Sequence, residues 1–135
     1  MYLLDVPYKK ELVSVREFLA EEFYDFPVDY CVQSSLLLKK AVGLPWTAGI
    51  YIVHGTPHGH AWNYDPIRRL FVDINHDGFD KSTRDIAVLP FLNPVLIETA
   101  RAQKLVSQYE DKMMWDIDRI YKDYLSRRFF QCSLN

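Results

Sequence analysis

Cysteine and glycine are scarce in this sequence: two cysteines and five glycines in 135 residues. A disulfide framework is therefore not what holds the chain together, the more so because Cys132 lies three residues from the end, where chains commonly fray. Long apolar runs are missing too. No stretch approaches the roughly eighteen residues that a membrane-spanning helix needs. The opening stretch, Met1 to Lys10, has too short an apolar run and the wrong charge order for a signal peptide, so a cytoplasmic protein is expected, with a secreted effector as the alternative. Nor does one sign of charge dominate. Sixteen Lys and Arg stand against eighteen Asp and Glu, for a net charge of −2. The basic residues come as scattered pairs such as Lys39-Lys40 and Arg68-Arg69, which argues against nucleic acid or an anionic membrane as partner. There is no paired CxxC and no HExxH, no internal repeat and no low-complexity linker.

What remains is an ordinary globular composition, 49% hydrophobic and 25% charged, with a high aromatic content of 15%. A chain of this length reads as one domain over residues 1–135. It can bury roughly two thirds of its unfolded surface without help from a metal or disulfide. No cofactor is called for.

Leu12, Val15, Phe18, Leu19 and Phe23 recur at helical spacing and predict a helix from about Lys9 to Phe23. Pro27 and the Asp residues around it mark a loop. A second helix is expected from Asp29 or Cys31 to about Ala41. Asp29 is a candidate cap, and Gly43 with Pro45 supplies the stop signal. Three β-type runs follow, at 49–53, 60–64 and 70–74. Asp65-Pro66-Ile67-Arg68-Arg69 makes a turn between the last two. A hairpin centred there sets His60 opposite Asp73. A slip of two residues would leave both on one face, whereas a slip of one would part them. Residues 79–94 read as irregular. A long helical segment, broken at most once, is expected from Val95 to about Leu125. Its apolar stripe (Val106, Tyr109, Met113, Ile117, Ile120 and Tyr124) suits core packing or a homodimer seam.

The chemistry-bearing residues are Cys31, His60 and Asp73. A thiol becomes a good nucleophile when a base and a local positive field favour its thiolate. The start of a helix supplies that field, and its free amides suit an oxyanion. Without His60 and Asp73, Cys31 would read as a small buried hydrophobe. With them, His60 is a general base and acid, and Asp73 holds its ring in the right tautomer. Asn75 is the reserve for that task. Trp62, facing the same way as His60, is either core or a wall over the imidazole. Tyr30, Gln33 and Trp46 are candidate donors to an oxyanion, and Tyr30, Trp62 and Asn75 are the expected cleft residues. A rival use of the imidazoles is zinc, since His54, His58 and His60 lie within seven positions. The lack of a paired motif argues against it, and no metal is expected.

The pattern C-x2-S-S-x-L-L-x-K-x-x-G-L over Cys31 to Leu44, then Gly59-His60-Ala61-Trp62, then Phe71-Val72-Asp73-Ile74, resembles the transglutaminase-like branch of the papain-like cysteine hydrolases. The leader peptidases of lasso-peptide maturation look similar in the same helix and His-Trp segments. A fainter echo of the arylamine N-acetyltransferases, in Val72-Asp73 and Gly78-Phe79, lacks the Arg-Gly-Gly stretch expected before the cysteine. The transglutaminase-like resemblance covers about a third of the chain. It implies an α+β fold with a papain/transglutaminase-like core, in which a helix bearing the nucleophile packs on a small antiparallel sheet. The long C-terminal helical segment lies outside it. It further implies a cysteine-dependent acyl-transfer hydrolase acting on a peptide or protein substrate through a thioester on Cys31, a peptidase before a deamidase or transglutaminase. The alternative is a catalytically inactive protein-binding module on the same fold.

Overall fold

A computed structural model describes residues 6–28 and 30–134. The architecture is α+β. Three helices, α1 (Lys9–Glu22), α2 (Cys31–Val42) and α3 (Ala100–Leu134), accompany five strands. The strands are β1 (Trp46–Val53), β2 (Thr56–Asp65), β3 (Leu70–Asp73), β4 (Ala87–Pro90) and β5 (Leu96–Glu98). They form one sheet in the order β4-β3-β2-β1-β5, and every neighbouring pair is antiparallel. Among the described residues no helix is long and apolar enough to cross a membrane.

The expected helices and the three expected strands are present; the first two strands are longer than expected, and the third stops one residue early at Asp73. Three differences stand out. The stretch read as irregular holds β4. Residues 96–98, assigned to the long helix, form β5 instead and pair with β1 at Tyr51, Ile50 and Gly49. The helix then starts at Ala100, with Thr99 Oγ1 accepting from the amide of Ala102, and runs unbroken to Leu134. Asp29, expected to cap α2, lies outside the described residues. Tyr30 takes the cap position and makes no side-chain capping bond there.

Helix α2 ends as expected. Gly43 has φ +83°, a left-handed value that glycine adopts without a Cβ penalty, and its amide donates to Lys39 O. Between these ends α2 buries Leu36, Leu37 and Leu38. Each fully buried leucine is worth about 1.5–3 kcal/mol relative to exposure, so this run anchors the helix firmly. It packs on Ala61, Val72 and Ile74 of the sheet and its edge, and on Leu12, Val15 and Leu19 of α1. Asn63 completes the contact from the same sheet face. Its Nδ2 donates to Ser35 O at 2.8 Å and Leu44 O at 3.0 Å. The α3 stripe goes into the same core: Ile117, Ile120 and Tyr124 are buried, and Val106 and Met113 pack against it. Tyr109 departs from the stripe and stays 43% exposed. The opposite sheet face carries its own cluster of Tyr51, Val53, Trp62, Phe71 and Leu96.

The turn after β3 is pinned from outside by Arg16 of α1. Its guanidinium donates to both oxygens of Asp77 at 2.8 and 2.7 Å, and to the carbonyl of Ile74 at 2.7 Å. A planar fork with several fixed donors suits such a task better than a lysine would.

Candidate functional site

Alternation along β2 and β3 sorts the site residues. Asn63, paired with Val72, faces α2. His60, Trp62, Phe71 and Asp73 therefore share the other face. The register is displaced by two from the hairpin expected: continuing it sets Trp62, not His60, level with Asp73. The period of two keeps His60 and Asp73 on one face all the same, diagonal to each other. Their side chains meet, with His60 Nε2 at 2.8 Å from Asp73 Oδ2, and both are 1% exposed.

Cys31 is the first residue of α2 and is half-buried, with a free thiol. Helix α2 packs on the face opposite His60, yet Cys31 and His60 are both among the residues that line one cavity, and the thiol lies close enough to act on the imidazole's proton affinity. They can meet because β3 stops at Asp73, short of the level of His60, and no strand stands between. The chain turns there, and Asn75 ties the turn to the start of α2. Its Oδ1 accepts from Ser34 Oγ at 3.3 Å, and its Nδ2 donates to Pro27 O at 2.8 Å. Those bonds replace the role expected for Asn75. It is buried, it lines no cleft, and its amide is spent joining two segments. Only its backbone N–H serves the carboxylate, donating to Asp73 Oδ1 at 3.0 Å.

His76 is the residue that the sequence reading missed. Its Nδ1 lies 2.9 Å from Asp73 Oδ2, so one carboxylate oxygen serves two imidazoles. Tyr51 holds the His76 ring by stacking at 4.4 Å and donates its hydroxyl to the His76 carbonyl at 3.0 Å. The one available signal was the i,i+3 spacing from Asp73 across a turn.

The electrostatics follow from this burial and pairing. Burial alone would push His60 toward its neutral form. The charge of Asp73 and its hydrogen bond overcome that, with a further contribution from Cys31, and His60 is pushed up to about 10. Burial likewise works against the Asp73 carboxylate, but His60 and His76 hold it well below the usual range. With Nε2 engaged by Asp73, Nδ1 is the nitrogen left for the thiol. It is buried and has no well-formed hydrogen bond among the described residues. A buried ring nitrogen without a well-formed partner calls for an explanation, and the Cys31 thiol, which already acts on the proton affinity of His60, supplies one.

The cavity at Cys31 and His60 has a volume of about 250 Å³ and lies between α2, the sheet and the first turns of α3. Trp62, expected to line a cleft or form the core, is core. It is 1% exposed, sits 6.0 Å from the His60 ring and meets Phe71 edge-on, so it backs the imidazole without reaching the cavity. Tyr30 lies against Phe23 and Phe26. It borders a separate open depression, together with Gln33 and Lys81. Trp46 cannot donate to an oxyanion as it stands, because its Nε1 is bound to Glu110 Oε1 at 2.6 Å. The three imidazoles of the zinc reading go to three partners: His54 to Asp80, His58 to the ring of Phe79 and His60 to Asp73. Among the described residues no group of three or more His, Cys, Asp or Glu is arranged to hold a metal ion.

No family model matches the chain, and no curated protein or solved structure matches it significantly.

Proposed function

We propose that this protein is a cysteine-dependent acyl-transfer hydrolase of transglutaminase-like type, with Cys31 as nucleophile, His60 as general base and acid, and Asp73 as the residue that orients His60. The observation that carries the reading is the buried His60–Asp73 pair, whose remaining ring nitrogen is unpaired beside the helix end that bears the thiol. The similarity of the three sequence segments to that superfamily supports it. Each step uses a group with the matching property. The Cys31 proton passes to His60, whose elevated proton affinity favours the imidazolium. The sulfur attacks an amide carbonyl, and the amides at the start of α2 face the developing oxyanion. His60 returns the proton to the departing amine, and water then attacks the thioester. Peptide bonds are the favoured substrate. Glutamine amides are the variant, in which ammonia is the leaving group.

The test is a screen of peptides and glutamine-containing proteins by mass spectrometry, with Cys31→Ala beside the parent. Chain cleavage that Cys31→Ala lowers by about a thousandfold or more is expected, in line with loss of a covalent nucleophile. Ammonia release without cleavage would move the reading to deamidation. Full activity of Cys31→Ala on a confirmed substrate would refute the mechanism. A thiol inert to every substrate and reagent would favour the binding module.

A further inference from the structure

The cavity beside the thiol has an uneven composition. Val32, Ala48, Ala61, Leu105, Val106 and Tyr109 make up half of its lining, which also holds Cys31 and His60. Glu110, next to Tyr109 on α3, is already matched: it pairs with Lys39 Nζ and Trp46 Nε1, both at 2.6 Å. Leu105 and Tyr109 are each 43% exposed, so apolar surface is left open beside the candidate nucleophile. Gly59 adds room at the same spot. It borders the cavity and faces the α2 side of β2, opposite Ile50. A Cβ built there meets nothing within 4 Å, so the fold does not require glycine at this position. At about 250 Å³ the cavity is smaller than the roughly 300–1,000 Å³ of sites that enclose a drug-sized ligand, and it suits one or two side chains.

We propose that this cavity is the acyl-side subsite of the enzyme, built to take the uncharged apolar side chain of the residue whose carbonyl Cys31 attacks. The inference rests on the reading of Cys31 as nucleophile and names its substrate class: peptides with an apolar residue on the acyl side of the attacked bond. A charged side chain there would lose its hydration, and apart from the reacting pair of Cys31 and His60 the lining offers no charge to compensate it. Leu105 and Gly59 are the specificity-determining positions.

Acetyl-aminoacyl chloromethyl ketones test this directly, because the side chain sits where the acyl residue would. The Cys31 sulfur displaces chloride from the methylene carbon, so a C–S bond forms, the C–Cl bond breaks, and the thiol proton stays with His60. The rate of Cys31 modification is read by mass spectrometry for the leucyl, glycyl and glutamyl reagents, with iodoacetamide as a reagent that carries no side chain. The leucyl reagent is expected to react at least about tenfold faster than the glycyl one, the scale of methylene discrimination in an apolar pocket, and the glutamyl one slowest. In Leu105→Asp and Gly59→Val the leucyl-to-glycyl ratio is expected to fall toward one. Leu105 is partly exposed and Gly59 has free space, so both variants are compatible with folding. Equal leucyl and glycyl rates at a Cys31 that iodoacetamide modifies readily would overturn the subsite alone. A Cys31 that resists all four reagents in the folded protein would overturn the nucleophile assignment and the subsite with it.

Discussion

Asp73→Ala is expected to lower the unfolding free energy by about 3–5 kcal/mol, read from urea denaturation, because it strips the partner from buried, charged groups. Few positions are so committed. One Asp73 oxygen receives two imidazoles and the other a backbone amide, and the side chain is 1% exposed. Removing it leaves His60 with neither nitrogen paired and frees His76, whose carbonyl and ring are the points that Tyr51 holds. Asp73→Asn separates charge from shape. The amide oxygen can still accept on one side but its NH2 meets a donor on the other, so only part of the stability is expected to return, and the carboxylate charge that holds the proton on His60 is gone. Activity should therefore fall in both variants while stability falls steeply in one. A cost below about 1 kcal/mol for Asp73→Ala would mean that the pair is not formed in solution.

Stability should also vary with pH in a direction set by the same two groups. An unfolded histidine titrates near 6.5, whereas His60 in the folded protein keeps its proton to about 10. Up to about pH 8.5 this gain is offset, because Cys31 has passed its proton to His60 in the folded protein while an unfolded thiol still holds its own. Between about pH 8.5 and 10 the folded state binds more protons, so stability falls there as pH rises, by an amount on the order of a few kcal/mol. Asp73 acts at the other end. Its carboxyl is held below its ordinary range, so its contribution is present above about pH 4 and is lost as pH falls through the folded value. The two windows overlap from mildly acidic pH to about pH 8, where urea midpoints should be highest. Asp73→Asn should flatten the alkaline limb. A parent protein whose midpoint is level from pH 6 to about 10 would show that His60 is not held protonated.

The site was legible in the sequence to the extent that its geometry is local. Cys31 at a helix start follows from the loop around Pro27 and the stop at Gly43. The meeting of His60 with Asp73 follows from side-chain parity, which survived a displacement of two residues in the hairpin. What the sequence hid depends on distant pairing. β4 and β5 are four and three residues long, and they sit among Pro90 and Pro94 where alternation has no length to show itself. β5 is a strand because β1 offers an edge, a fact absent from Leu96-Ile97-Glu98 taken alone. His76 lies in a turn, where no periodicity says which way a ring points. Trp62 was placed on the right face, but alternation does not tell which face of a sheet opens to a cleft. Tyr109 belongs by spacing to a stripe expected to serve core packing or a homodimer seam, and helical spacing does not tell that the stripe begins over a cavity.

The central claim is that Cys31 and His60 act as a reactive pair, and the pH dependence of iodoacetamide labelling tests it most directly. Cys132, the other cysteine in the sequence, serves as the internal reference. The folded protein is expected to label fast at Cys31 from about pH 6 upward, well below the range of an ordinary thiol and ahead of Cys132, and His60→Ala should slow Cys31 at neutral pH. Labelling at Cys31 that tracks Cys132, is unchanged in His60→Ala, or waits for unfolding would contradict the account and leave Cys31 a structural residue.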